Sequence, residues 1–302
     1  MLGVIAFALP GFEPLLPERS GAAGRLVVER FPNQELSLGV ETPVEGQSCL
    51  LVGSAAPPDE QLLSLLLAAD TLNRQGASRI SALLPYLAYA RQDKPEPGRG
   101  LGIAWLGRLL SACAVEELIT IDVHSPGVAG LLKVPLLSVS PAGLFAAEIE
   151  RAGLLDAVVV APDEGAVERC RAFAEAAGIA KPVAYLRKER TPLGVVHGEL
   201  VGQLGRQAVV VVDDILDTGG TLLSCCRELQ RRGVEQTTVI VTHGLFTGEA
   251  WRELPSLTVE RIYVTDSVPS AVRRRREGVR LISVRPLIEE ATASCSKRAQ
   301  AR

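Results

Sequence analysis

Ala208-Val209-Val210-Val211-Val212-Asp213-Asp214-Ile215-Leu216-Asp217-Thr218-Gly219-Gly220-Thr221 reads as a strand, a turn and the start of a helix. The run from Ala208 to Val212 is apolar and mostly β-branched, without the polar alternation of a half-exposed strand. Such a strand is buried on both faces, as in parallel sheets covered by helices on either side. Two carboxylates stand where it ends, and small residues form the turn. From Thr221 onward, Leu222, Leu223, Cys226 and Leu229 recur at helical spacing, and Arg231, Arg232 and Gly233 close the helix.

The same alternation extends outward on both sides. Leu2 to Leu9, Arg25 to Arg30, Ser48 to Ser54, Arg79 to Leu84 and Leu118 to Val123 read as strands. Asp59 to Gln75 and Trp105 to Ala114 read as helices, the first through Leu62, Leu63, Leu66, Leu67 and Ala69. The pattern then restarts: helix over Pro141 to Ala152, strand over Ala157 to Val160, helix over Gly165 to Ala177, strand over Val183 to Leu186. After the opening stretch come strands over Thr237 to Thr242, Glu260 to Thr265 and Leu281 to Val284. Strand–helix alternation means parallel α/β sheets. The chain therefore divides into two successive α/β domains, residues 1–145 and 146–302, the second carrying the opening stretch. Lys297 to Arg302 is basic and polar and frays.

With 302 residues the chain has room for two domains. A net charge of −3 and an aromatic content of 4% argue against a nucleic-acid binder. Met1 to Leu9 lacks a basic leader and runs into Pro10, so it is a first strand and not a signal peptide. No apolar run reaches membrane-spanning length. Cys49, Cys113, Cys170, Cys225, Cys226 and Cys295 form no metal-type pair and read as reduced thiols of a cytoplasmic protein.

The chemistry gathers at the turn. Glycines let backbone approach a ligand, and a helix start presents unpaired N–H groups, so the pair makes an anion site. Thr218 and Thr221 add hydroxyl donors. Asp213 and Asp214 accept from sugar hydroxyls, directly or through a metal. The opposing reading is a tight turn with capping Asp and Thr residues. Two acids followed by Asp217-Thr218-Gly219-Gly220-Thr221 behind a buried strand favour a phosphate at one end and a diol at the other. A phosphorylated pentose fits. The loop is not a nucleoside-triphosphatase P-loop, since no Lys follows the glycines.

Other polar stretches also end strands. Tyr89-Ala90-Arg91-Gln92-Asp93-Lys94 is either a plain polar loop or a ligand loop in which Arg91 offers a planar fork to phosphate and Gln92 an amide to a base edge. The Pro- and Gly-rich segment from Pro95 to Gly102 is a lid or a linker. His124, after Ile121-Asp122-Val123, lies where open α/β sheets bind ligands. It is either an imidazole ligand to a metal-bound nucleotide or a donor to phosphate. Asp163 either caps the next helix or carries a metal. Arg187-Lys188-Glu189-Arg190 is either a solvated loop or a source of cations for phosphates in transfer.

Phe31 to Glu35, Tyr89 to Asp93, Asp122 to His124, Pro162 to Gly165, Lys188 to Arg190, the central loop and Thr242-His243-Gly244 occur in the order of the ribose-phosphate diphosphokinase family, which the chain resembles along nearly its whole length. The loop alone also resembles that of type I phosphoribosyltransferases. The family resemblance implies two tandem type I phosphoribosyltransferase-like domains, each a mainly parallel sheet flanked by helices. It implies transfer of the β,γ-diphosphoryl group of ATP to ribose 5-phosphate, with Mg2+ as cofactor.

Carried over residue by residue, Lys188 and Arg190 are catalytic. Asp213, Asp214, Asp217, Thr218, Gly219, Gly220 and Thr221 bind ribose 5-phosphate. Phe31, Asn33, Glu35, Arg91, Gln92, Asp93 and His124 bind ATP, and His124 and Asp163 hold the metal. Phe31, Asn33 and Glu35 resemble a turn that reaches a neighbouring subunit's adenine, which implies a homo-oligomer of dimers, up to a hexamer. Several stretches depart from the pattern: the region after His124 lacks the usual Gln and Phe residues, the first helix within Pro10 to Gly24 is abbreviated, and Glu164 replaces a small residue. The turn reads Phe31-Pro32-Asn33-Gln34-Glu35 in place of Phe-x-Asp-Gly-Glu, and Pro95 to Trp105 lacks a Pro-Ile-Thr-Ala-Lys-like run. A silent regulatory subunit of the same fold would have lost the basic pair or the acids, which this chain keeps. A phosphoribosyltransferase would be a single such domain.

Overall fold

The computed structural model describes residues 4–18, 22–191, 194–204, 208–275 and 278–300. The chain forms two compact units, Met1–Val139 with Val284–Arg302, and Ser140–Ser283. The expected division at 145/146 is thus displaced to 139/140, ahead of the helix at Ala142–Arg151, so that helix belongs wholly to the second unit. The C-terminal segment, expected within the second domain, returns to the first. It is helical to Gln300, where the sequence suggested fraying from Lys297.

In the first unit, β1 (Val4–Ala8), β2 (Leu26–Arg30), β3 (Leu36–Val40), β4 (Ser48–Val52), α1 (Glu60–Arg74), β5 (Arg79–Leu83), α2 (Gly102–Ala112), β6 (Glu117–Ile121), α3 (Val128–Leu131) and β7 (Leu136–Val139) follow in order. Five of the strands make a parallel sheet ordered β1-β4-β5-β6-β7. Strand order rises steadily across it, without a reversal. Strands β2 and β3 pair antiparallel as a separate hairpin. Helix α1 buries Leu62, Leu65, Ala68, Ala69 and Leu72 and leaves Leu63 exposed, so its core stripe is rotated from the expected one.

The second unit contains α4 (Ala142–Arg151), β8 (Val158–Ala161), α5 (Val167–Ala176), β9 (Ala184–Thr191), β10 (Gly194–Val201), β11 (Val209–Leu216), α6 (Gly220–Arg231), β12 (Thr237–Gly244), β13 (Val259–Thr265), α7 (Pro269–Arg274) and β14 (Val279–Ile282); α8 (Arg285–Gln300) closes the chain. Its seven-stranded sheet is ordered β10-β9-β8-β11-β12-β13-β14, parallel except for β10. Val209 and Val211 enter one core with Leu222, Cys226 and Leu229 of α6. Val210 and Val212 enter the other with Phe145, Ile149, Cys170 and Phe173 of α4 and α5. That split is the reason the strand carries no polar alternate positions: helices cover both faces.

Two expectations change in the second unit. Arg187 to Arg190 is not a loop but continues β9, because β10 pairs with it as a hairpin. And β11 runs three residues past Asp213, through Asp214 to Leu216, since Ile215 and Leu216 stay in register with His243 and Gly244 of β12.

Candidate functional site

The chain leaves β8 for β9 on one side and returns to β11 on the other. Strand order reverses there, and open α/β sheets bind ligands in the crevice outside the strand ends at such a reversal. Asp163 follows β8, Asp213 and Asp214 lie near the end of β11, and Lys188 lies in β9. The sequence reading and the topology therefore converge on one place in the second unit.

The loop after β11 is built for close approach. Gly219 has φ +90, and a Cβ there would stand 2.4 Å from the backbone nitrogen of Trp251. Both conformation and space demand glycine. At Gly220 the nearest atom to a Cβ is Thr218 Oγ1 at 3.8 Å, so that position faces open space. Helix α6 has Gly219 at its N-cap position, which makes no side-chain cap. The Gly220 N–H reaches the Thr218 hydroxyl at a long 3.5 Å, so Thr218 caps the first turn only weakly; the helix start, aided by its dipole, still suits an anion.

The acids differ from one another. Asp214 is 6% exposed and lies 3.7 Å from the Arg169 guanidinium. Asp213 accepts the Asp214 N–H at 3.0 Å. Loss of water, and then the Asp214 carboxylate, push the Asp213 carboxyl well above its ordinary range, with Arg169 pulling the other way. A carboxyl pair held so is suited to a ligand that brings hydrogen-bond donors or positive charge. Lys188 Nζ meets Asp163 Oδ2 at 3.0 Å, both half-buried. Asp163 stands at the N-cap position of the turn Glu164–Ala166 but makes no side-chain capping bond there. Arg190 takes part in β9 through its backbone; its side chain lies outside the described residues.

In the first unit, the loops after β5 and β6 are tied together by Ser125 Oγ donating to Asp93 Oδ2 at 2.7 Å. Arg91, Gln92 and His124 are exposed on these loops. Tyr89, with φ +66, donates to Asp59 at 3.3 Å and meets Trp105 edge to face at 5.4 Å. Phe31 to Glu35 turns the β2–β3 hairpin, closed by Gln34 N–H to Phe31 O at 2.8 Å and Glu35 N–H to Asn33 Oδ1 at 3.2 Å. Phe31 there is 53% exposed.

The sequence reading missed Arg169, which lay inside an expected helix among other charges, and the segment after β12. Leu245 and Phe246 N–H groups donate to Leu216 O at 2.9 and 3.1 Å, and the Thr247 N–H to Asp217 O at 3.2 Å. The Phe246 and Trp251 rings meet at 4.8 Å. Two glycines, Gly244 and Gly248, flank that segment and were its only signal. His243 is buried with Nδ1 2.9 Å from Ser267 Oγ, so the Thr242-His243-Gly244 motif is anchored inside the sheet.

Among the described residues, no three His, Cys, Asp or Glu side chains gather into a metal cage. The donors present, Asp163 and the Asp213–Asp214 pair, fit Mg2+, which takes one or two carboxylates and completes its shell with water and substrate phosphates. No described helix is long and apolar enough to cross a membrane. Cys49, Cys113, Cys170, Cys225 and Cys226 are free, and burial drives the Cys226 thiol up to about 12.

Two mainly parallel α/β units in tandem, one with a glycine loop and paired acids at its strand-order reversal, define a tandem phosphoribosyltransferase-like protein. Residues 20–113 match the N-terminal domain of ribose phosphate pyrophosphokinase, and residues 178–298 match the phosphoribosyl synthetase-associated domain. The chain is 30% identical to ribose-phosphate pyrophosphokinase of Rhizobium meliloti over 91% of its own length and 89% of that protein. It is 31% identical to that of Bacillus caldolyticus, over 89% and 85%. The structure superposes on phosphoribosylpyrophosphate synthetase from Mycobacterium smegmatis with a TM-score of 0.86 at 25% identity, covering 98% and 99% of the two chains. The chain belongs to the ribose-phosphate pyrophosphokinase family.

Proposed function

We propose that the protein transfers the β,γ-diphosphoryl group of ATP to the anomeric hydroxyl of ribose 5-phosphate, giving AMP and phosphoribosyl pyrophosphate. The observation that carries this reading is the gathering of Asp163, Lys188, Asp213, Asp214 and the start of α6 at one strand-order reversal. Loop residues Asp217 to Thr221 hold the 5-phosphate. Asp213 and Asp214 accept from the ribose hydroxyls and so fix the sugar's anomeric face.

The anomeric oxygen attacks the β-phosphorus, the bond to the oxygen bridging α and β breaks, and AMP leaves with that oxygen; the hydroxyl proton is released. Charge develops on the leaving oxygen and the transferred group. Lys188 and Arg190 are assigned to stabilise that charge, which is the electrostatic work phosphoryl-type transfer asks of a protein. In the structure Lys188 pairs with Asp163; its ammonium turns to the phosphates once they and their counter-charge arrive. Within the second unit Asp163 would hold Mg2+, an ion that prefers oxygen ligands. When bound, Mg2+ neutralises phosphate charge. Arg91, Gln92 and Asp93 contact ATP, and Phe31, Asn33 and Glu35 complete the nucleotide site of a neighbouring subunit in a homo-oligomer. The free thiols fit a cytoplasmic enzyme.

Incubation with ATP, Mg2+ and ribose 5-phosphate tests the reading. AMP appears in step with phosphoribosyl pyrophosphate. ADP as product, or no turnover with any nucleoside triphosphate, overturns it and favours a silent member of the fold.

A further inference from the structure

An acid inside a phosphate-binding loop poses an electrostatic problem. Asp217 opens the loop that receives the 5-phosphate dianion, and a free carboxylate there repels it. The segment from Leu245 to Trp251 meets this loop residue by residue and engages the Asp217 carboxylate. Leu216 O accepts two N–H groups, those of Leu245 and Phe246. Asp217 O accepts the Thr247 N–H at 3.2 Å, and Asp217 Oδ1 accepts the Thr247 hydroxyl. Gly248 lies so close to Thr218 that a Cβ on it would stand 3.0 Å from Thr218 Cα and 3.1 Å from Thr218 O. Trp251 backbone sets the limit on Gly219. Each successive loop residue from 216 to 219 therefore meets its counterpart in the segment after β12.

We propose that this segment is a clamp that presets the ribose 5-phosphate loop, with Thr247 as a positioning residue acting through Asp217. The Thr247 hydroxyl occupies one carboxylate oxygen, and its N–H fixes the same residue's carbonyl. Asp217 thus braces the loop and helps to shape it for the phosphate. Thr247 itself is exposed, so its hydroxyl is not needed to fill a core. The inference rests on the 5-phosphate occupying this loop.

Calorimetric titration with ribose 5-phosphate alone, together with initial rates, tests it. Thr247→Val keeps the side chain's shape and removes the hydroxyl. Losing one hydrogen bond to a charged group weakens ribose 5-phosphate binding about tenfold or more. Its KM rises more than kcat falls, and the KM for ATP stays near wild type. Thr247→Ser, which restores the hydroxyl, returns the affinity to within about threefold of wild type. Gly248→Ala, pressing on Thr218, weakens the sugar phosphate in the same selective way.

Unchanged affinity in Thr247→Val, an equal rise in the KM for ATP, or failure of Thr247→Ser to rescue overturns the inference. Failure of the proposed reaction looks different. Wild-type protein that binds ribose 5-phosphate without forming AMP refutes the reaction while the titrations still judge the clamp. Wild-type protein that does not bind it removes both.

Discussion

At the residue scale, adjacent glycines carry different constraints. Gly219 sits in the left-handed region, with Trp251 backbone against it, whereas Gly220 faces open space. A left-handed alanine costs about 1–2 kcal/mol before any collision. Gly219→Ala therefore loses at least that much stability in denaturant titration and loses ribose 5-phosphate binding with it. Gly220→Val keeps the wild-type unfolding midpoint and raises the KM for ribose 5-phosphate alone. A stable, active Gly219→Ala would mean that the loop relaxes freely.

Asp213 gives the second residue-scale prediction. Its folded pKa is raised, chiefly by burial and next by Asp214. A raised carboxyl favours folding below its unfolded pKa, about 3.9, and that contribution is lost as pH rises through the folded value. Asp213→Asn cannot ionise and still accepts the Asp214 N–H. Its melting temperature relative to wild type therefore rises with pH from about 4 upward, while turnover falls. An advantage greatest at low pH contradicts the assignment. The Asp pair and both glycines were legible because their neighbours are consecutive in the chain. Arg169 and Thr247 were not, because each reaches its acid from a distant element.

At the element scale, what the sequence hid was pairing. The charges from Arg187 to Arg190 suggest a solvated loop, yet β10 supplies a partner strand and carries Lys188 to Asp163 within β9. Strands β3 and β7 escaped notice for a related reason: Leu36–Val40 and Leu136–Val139 are short, largely half-buried, and defined by their neighbours. The β2–β3 hairpin shows the cost of its sequence. Gln34 adopts φ +71 in its turn, a conformation glycine takes freely. Its N–H to Phe31 and its carbonyl to Arg30 are backbone groups that a glycine retains. Gln34→Gly thus relieves about 1–2 kcal/mol of strain, less about 0.4–1 kcal/mol for the freer unfolded chain. Chemical denaturation reads this as a small gain in stability. A loss would place a needed contact on the Gln34 side chain.

At the scale of the whole molecule, the tandem architecture was legible from the restarted strand–helix pattern, but the return of α8 to the first unit was not, because a single amphipathic helix does not announce which core it joins. The assembly is the next level, and Phe31 bears on it. At the hairpin tip Phe31 is 53% exposed and so accessible to a neighbouring subunit. If it completes a neighbour's nucleotide site, each active site needs Phe31 from one subunit and Lys188 from another. Phe31→Ala protein is then weak in ATP binding, and Lys188→Ala is slower by about a hundredfold or more, the usual loss of one transition-state donor. Neither works alone. Co-expressed in equal amounts, they form mixed pairs in half of the dimers, and half the sites in each mixed pair hold both native residues. Turnover then recovers to about a quarter of wild type, the fraction set by twofold symmetry. A hairpin that served its own subunit would leave the mixture no more active than the average of the two variants.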